Sequence, residues 1–168
     1  MPNNIENIIV FHGTAARIGK ICKMLAAEQH PYNTIAPLPY YEETYASYRC
    51  WPEDPGKLCR EYAWKAYEAV VENLWQPEKI PKSRRSLGFS CASAWGPPEG
   101  LIKKLLEKNH TFDHLFCCEG GPEFSSVVRY DRGWEADAKD FIHVNRLDPL
   151  ARKICIACWG RDPIDPVD

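Results

Sequence analysis

The N-terminal part of the chain has a hydrophobic pattern that predicts one buried strand followed by one helix. The apolar run Ile8–Phe11 predicts the strand, and His12-Gly13 predicts a turn at its end. Thr14 can cap a helix that we expect to end near His30, because Pro31 disfavours helical geometry in the residue before it. The apolar residues of this helix recur at the spacing of one helical face: Ile18, Ile21, Cys22 and Leu25.

The middle of the chain predicts a second helix, a second strand and a third helix. Residues Leu58–Trp75 have helical periodicity, whereas the alternation in Leu87–Trp95 is typical of a strand. Gly96-Pro97-Pro98-Glu99 predicts a helix start, with proline in the opening turn and an acidic residue near the positive helix end. The apolar face of this third helix comprises Leu101, Ile102, Leu105 and Leu106.

The C-terminal part predicts a hairpin and a last helix. Asp113–Cys118 and Glu123–Tyr130 are the two strands of the hairpin. After a turn, the polar segment Glu135–Asp140 leads to a short strand at Phe141–Val144. Asp148-Pro149 is a favourable helix start, so we expect the last helix to run to Trp159-Gly160.

This order of elements predicts an α+β fold with an antiparallel sheet packed by helices. A ferredoxin-like β-α-β-β-α-β core accounts for the order if a Tyr/Trp/Pro-rich insert at residues 32–56, with a short strand at Asn33–Ala36, is an elaboration. The predicted domain spans residues 1–134. Residues 135–168 form a C-terminal extension whose short helix packs on the same domain.

The insert is the most informative feature for function. Its tyrosine and tryptophan side chains suit an interface, because they give large contact areas with few rotatable bonds; the alternative is that they cover the sheet or a helix. A basic connector next to Trp75 could contact phosphate or an acidic protein surface, or be solvated. The candidate partner-binding residues are Tyr40, Tyr41, Glu42, Glu43, Tyr45, Tyr48, Trp51, Trp75, Lys82, Arg84 and Arg85.

Composition adds limits on location and partner. The net charge is −2 and the isoelectric point about 6.2, which does not indicate the basic surplus typical of nucleic-acid binders. We see no apolar run long enough for a membrane span and no secretory signal at the N-terminus. We therefore expect a cytoplasmic protein, with a protein or ribonucleoprotein partner favoured, nucleic acid left open and no membrane partner.

Eight cysteines are many for a cytosolic chain, where thiols stay reduced. The pair Cys155 and Cys158 has the spacing of a half zinc site or a redox pair, but also of two core residues one helical turn apart. No second Cys-x-x-Cys exists, and no spacing selects a cysteine–histidine dyad. Since nucleotide-loop and common catalytic motifs are missing as well, we expect no enzyme and no cofactor, with zinc left as an alternative.

Several short blocks together resemble the YubB ferredoxin-like family of phage- and plasmid-borne proteins. They are the opening Met1-Pro2-Asn3, the first strand at Asn7–Gly13, the block Tyr32–Pro39, the strand and turn Phe89–Pro98, and Cys118–Phe124. The blocks occur in the family's order between residues 1 and 134. The family's Trp-Gly-Thr-Lys-Trp stretch is not matched. The resemblance implies the fold and a mobile-element origin, and it implies no chemistry.

From these observations we expect a non-enzymatic phage- or plasmid-encoded accessory protein that binds a host macromolecule. The most specific expectation is an inhibitor of a bacterial defence system, such as an anti-CRISPR protein, that acts by steric occlusion. The alternatives are a nucleic-acid-binding module, in which a ferredoxin-like sheet presents aromatic rings to bases, and a zinc or thiol protein that uses Cys155 and Cys158.

Overall fold

A computed structural model describes residues 4–26, 61–74, 85–94, 96–119, 121–142, 148–160 and 162. These residues form an antiparallel five-stranded sheet with four helices, which confirms the predicted α+β class. The elements in chain order are β1 (Asn4–Gly13), α1 (Ala15–Ala26), α2 (Glu61–Leu74), β2 (Arg85–Ala94), α3 (Glu99–Glu107), β3 (Thr111–Cys118), β4 (Gly121–Asp131), β5 (Trp134–Ile142) and α4 (Pro149–Trp159).

Strand β1 lies inside the sheet, whose order is β2-β1-β3-β4-β5. Its hydrophobic run is continuous because both of its faces are covered; Ile8, Ile9 and Phe11 are each at most 1% exposed. The strand continues through His12-Gly13, so the turn predicted there is wrong. β2 supplies backbone partners for both residues, with Gly13 opposite Arg85.

Alternation along β1 sends neighbouring side chains into two separate cores. Ile8 and Val10 pack in one core with side chains of α2 and α4, and we call this side of the sheet face A. Ile9 and Phe11 pack in the other core with side chains of α1 and α3, and we call that side face B. The described parts of the sheet are therefore covered by helices on both faces.

The predicted start of α1 and both predicted ends of α4 agree with the observed caps. The Thr14 hydroxyl accepts a hydrogen bond from the backbone N–H of Arg17 at 3.3 Å, as expected for the start of α1. The Asp148 carboxylate caps α4, and Gly160 ends it with a left-handed φ of 71°. Leu101, Ile102 and Leu105 of α3 are buried as predicted.

Strand β5 begins earlier than the sequence predicts. The sequence predicts a strand only from Phe141, but β5 runs from Trp134 to Ile142 and pairs with β4 along this length. Most of its side chains up to Lys139 are exposed, so the strand carries almost no apolar alternation to mark it. Backbone hydrogen bonds to β4 define this strand instead. The β2 start is also two residues earlier than predicted, because Arg85 and Ser86 pair with β1.

Candidate functional site

Five polar side chains from five different elements meet on face A at one end of the sheet. They are Ser86, His12, Asp113, Arg129 and Tyr67, and we call them the charged network. The register explains the arrangement, because His12 lies opposite Ser86 and Asp113 lies opposite Arg129 across neighbouring strands. Helix α2 contributes Tyr67 from above the sheet.

The Asp113 carboxylate is the centre of the charged network and is fully buried. Arg129 donates to it through Nε at 2.6 Å and through Nη2 at 2.7 Å. The Tyr67 hydroxyl donates at 2.7 Å, and His12 Nε2 lies 3.0 Å from the same oxygen. A carboxylate has about four lone-pair sites, so these contacts satisfy it.

Two pKa shifts follow from this geometry. Burial acts to raise the pKa of Asp113, but hydrogen bonds from Arg129 and His12 outweigh it and hold the pKa below its ordinary value. Burial and the Asp113 charge raise the pKa of Tyr67. Asp113 therefore stays ionised and Tyr67 stays a hydrogen-bond donor at neutral pH.

The outer end of the charged network is Ser86. Because a carboxylate only accepts, the tautomer that fits this geometry has its proton on Nε2 of His12, which leaves the lone pair of Nδ1 for the Ser86 hydroxyl at 2.7 Å. Ser86 is exposed, whereas His12 is 7% exposed. A serine hydroxyl on an imidazole that is oriented by a carboxylate is the arrangement that activates a nucleophile.

The position of Arg129 weakens the case for catalysis. In a catalytic triad the carboxylate stabilises the imidazolium that forms when histidine takes a proton. In this protein the Arg129 guanidinium already occupies that carboxylate, so a protonated His12 would have to share it with a second cation. The main role of the network is therefore structural, because its hydrogen bonds connect four strands with α2.

A second cluster, which we call the neutral network, lies on face B. His114 Nε2 lies 2.9 Å from Asn7 Oδ1, and Asn7 Nδ2 donates to the Ser93 hydroxyl at 2.8 Å. The Ser93 hydroxyl donates in turn to the Gly96 carbonyl at 2.6 Å. Burial lowers the pKa of His114 to about 3, so its ring is neutral at physiological pH.

The cysteine pair of the sequence lies in the core. Cys155 and Cys158 are buried on α4, in the same cluster as Cys117 of β3. A hydrogen bond with Cys155, burial and the proximity of Cys158 raise the pKa of Cys117, which keeps it a thiol. Within the described ranges, no group of three or more His, Cys, Asp or Glu side chains could hold a metal ion. The packing thus agrees with the core alternative for the pair.

Most of the predicted partner-binding residues lie outside the described residues. This holds for the whole insert, for the strand predicted at Asn33–Ala36, and for Trp75, Lys82 and Arg84. Arg85 is described: it is exposed at the start of β2, opposite Gly13. Of the predicted partner-binding residues, the structure therefore describes Arg85 alone.

The charged network was not predicted from the sequence. His12, Asp113 and Arg129 each lie in or beside a predicted strand, but no local spacing connects them. The one available signal is polar: charged residues interrupt otherwise apolar strands, and a buried charge needs a partner. That signal indicates that partners exist and does not identify them.

Comparison with models of protein families, with curated proteins and with solved structures finds no match. The resemblance to the YubB family therefore stays a prediction. None of the described helices has the length and apolar character to span a membrane.

Proposed function

We propose that this chain is a non-enzymatic accessory protein of a phage or plasmid that binds a host macromolecule. The specific function we propose is inhibition of a bacterial defence complex, as by an anti-CRISPR protein, through steric occlusion. One observation supports the proposal most: residues 27–60, which include the aromatic insert, join α1 and α2, two helices that pack on opposite faces of the sheet.

Both described cores are built from side chains of strands and helices. The segment between α1 and α2 is therefore attached at both ends to helices that pack in these cores. The sheet and its helices form a stable base, and the segment between α1 and α2 supplies six tyrosine and tryptophan rings, among them Tyr41 and Trp51. Such rings contribute much of the binding free energy at protein interfaces. Their function in this chain is therefore to contact the target.

We also propose a ferredoxin-like topology for the domain. Strands β2 and β3 both run antiparallel to β1 and flank it, and α3 joins them. This is a split β-α-β unit, the kind of unit from which the β-α-β-β-α-β core is built. The remaining strand of that core would be the one predicted at Asn33–Ala36.

Affinity capture tests the proposal. The tagged protein is incubated with nuclease-treated host lysate beside a variant in which Tyr41 and Trp51 are replaced by serine. We expect the wild-type protein to retain a defence-complex subunit that the variant releases. A wild-type protein that captures no stable partner, or a variant that captures the same one, contradicts the proposal.

A second candidate function is favoured by the Ser86–His12–Asp113 geometry. In this function Ser86 Oγ attacks an acyl carbon and forms an ester, while its proton passes to His12 Nδ1 and then to the leaving group. Water then hydrolyses the ester and regenerates the Ser86 hydroxyl. General-base assistance of this kind typically accelerates a reaction by about 10²–10⁴-fold.

Hydrolysis of an activated aryl ester tests this second function. A serine hydrolase would release the aryl alcohol faster than buffer does, and both Ser86→Ala and His12→Gln would remove the excess rate. Equal rates for the wild-type protein and Ser86→Ala would exclude it, because every catalytic step requires that hydroxyl.

A further inference from the structure

An open groove lies between the first half of α1 and the residues that end α3. Its volume is about 520 Å³, which is within the range of small-ligand sites. Its wall includes the apolar Ala16 and Ile21 and three cations, Arg17, Lys20 and Lys108. Helices α1 and α3 pack on face B, so the groove is on the side of the sheet opposite the charged network.

The end of α3 holds the Arg17 guanidinium in this groove. Arg17 Nη2 donates to the carbonyl of Lys108 at 3.0 Å and to the carbonyl of Asn109 at 2.9 Å. Carbonyls at the C-terminus of a helix lack donors within the helix, so these bonds complete the end of α3 and fix the guanidinium. Nε and Nη1 of Arg17 make no hydrogen bond to the described residues, so their N–H groups remain donors for a ligand.

His110 adds a neutral hydrogen-bond donor to the groove. Its ring is 8% exposed, and its Nδ1 lies 3.4 Å from Arg17 Nη2. A guanidinium only donates, so the tautomer that fits this contact has its proton on Nε2, for which no described residue supplies an acceptor. Burial, together with Arg17 and Lys108, lowers the pKa of His110 to about 4, so the ring is neutral at pH 7.

The described residues around the groove do not neutralise its positive charge. None of the described lining residues is a carboxylate, and α1 has three basic residues and no acidic residue. Glu107, which precedes Lys108 in the chain, pairs with Lys104 at 2.6 Å. The groove therefore combines cations and N–H donors with an apolar wall, in a chain whose net charge is −2.

We propose that this groove binds a small organic phosphomonoester, with its phosphate on Arg17, Lys20 and Lys108 and its apolar group against Ile21. A phosphate group has about two negative charges at neutral pH and three acceptor oxygens, which match the donors of the groove. The planar guanidinium suits phosphate, because it can donate through two N–H groups at once. The volume of the groove is much larger than one phosphate ion, so the remaining space takes the organic part.

The same observations disfavour other anions. A carboxylate has one charge and two oxygens, so it would leave cations of the groove uncompensated. Inorganic phosphate would leave the apolar wall in contact with water. A nucleic-acid strand binds cations that follow its backbone along a surface, whereas these cations converge on one groove. No residue of the aromatic insert takes part, so the inference does not depend on the proposed inhibitor function.

Titration with phenyl phosphate, followed by two-dimensional ¹H–¹⁵N NMR spectra, tests the inference. We expect saturable shift changes at the residues of the groove. Phenyl phosphate should bind at least about tenfold more tightly than inorganic phosphate or benzoate, because only phenyl phosphate combines the double charge with an apolar ring. Lys20→Gln and Lys108→Gln each remove one exposed cation and should each weaken binding about three- to fivefold. The double variant should bind at least about tenfold more weakly.

Lys103→Gln is the matched control, because Lys103 is exposed on α3 and does not line the groove. It should bind phenyl phosphate like the wild-type protein, and circular dichroism should give the same spectrum for every variant. Absence of saturable shift changes with phenyl phosphate would overturn the inference. So would equal losses of affinity in Lys103→Gln and in the double variant, or tighter binding of benzoate, inorganic phosphate or an oligothymidylate than of phenyl phosphate.

Discussion

The two polar networks have a similar layout and opposite electrostatic character. Each contains a histidine and a serine and links β1, β2 and β3 through side chains. The charged network on face A contains an ion pair, between Arg129 and Asp113, and it reaches the surface at Ser86. The neutral network on face B contains His114, which is 2% exposed, and ends on a backbone carbonyl.

The comparison shows what each network contributes to the protein. In the neutral network a proton arriving on His114 would create a buried charge, so the network is sensitive to acid. In the charged network the charges compensate each other, so the network is sensitive to loss of either partner. Both networks thus have structural roles, and our account assigns the binding of other molecules to the surface.

The largest effect should come from Asp113→Asn. This substitution removes the negative charge that compensates the buried Arg129, and breaking a buried ion pair in this way costs about 3–5 kcal/mol. Urea unfolding followed by circular dichroism measures the loss. Glu107→Gln is the control, because it breaks the exposed Lys104–Glu107 pair and should leave the midpoint unchanged. An equally unchanged urea midpoint for Asp113→Asn would contradict the structural role assigned to the Asp113–Arg129 ion pair.

The acid sensitivity of the neutral network gives the next largest effect. The pKa of His114 is about 3 in the folded protein and about 6.5 when unfolded, so the unfolded chain binds more protons between these values. Stability must therefore fall as the pH falls through this window, by about 2–3 kcal/mol between pH 7 and pH 4.5.

His114→Gln isolates this contribution. Glutamine does not titrate, and it can still donate to Asn7. Urea unfolding at the two pH values should therefore give the variant a smaller stability loss than the wild-type protein. Parallel losses in both proteins would mean that His114 does not titrate as the structure requires.

Tyr67→Phe should have a smaller effect. It removes one of the hydrogen bonds to the Asp113 carboxylate and keeps the ring that packs against Trp64, with ring centres 5.4 Å apart. A hydrogen bond to a charged group contributes about 1.5 kcal/mol or slightly more. Thermal and urea unfolding should agree on that loss. No loss would mean that the remaining donors satisfy Asp113 equally well.

The smallest effect should come from Ser86→Ala, at less than about 1 kcal/mol, because water can replace the exposed hydroxyl. Ser93→Ala makes the same chemical change in the buried network. It removes a partner from both Asn7 and Gly96 and should cost about 1–3 kcal/mol. Equal unfolding free energies for the two serine variants would mean that solvent access at Ser86 does not distinguish the charged network from the neutral network.

The fold was largely predictable where local periodicity reports burial. The alternation around Phe89 and the helical spacing around Leu101 both predicted the correct element, because one face of each is buried. Strand β5 was missed for the opposite reason: its polar side chains face solvent, and pairing with β4 is a non-local property.

The charged network could not be predicted, because its residues are far apart in the sequence. His12 was interpreted as a turn residue, and it reaches Asp113 only through the register between β1 and β3. Register depends on the packing of the whole sheet, which a single-sequence pattern does not specify. The aromatic insert, in contrast, is conspicuous in the sequence and lies outside the described residues.

Reaction of the folded protein with a fluorophosphonate tests most directly whether the charged network is structural. An activated serine hydroxyl would form an oxygen–phosphorus bond and release fluoride, and intact mass with peptide mapping detects the adduct. Our account predicts no adduct on Ser86 in the wild-type protein. An adduct at Ser86 that His12→Gln abolishes would contradict it and would assign the chain to the enzymes.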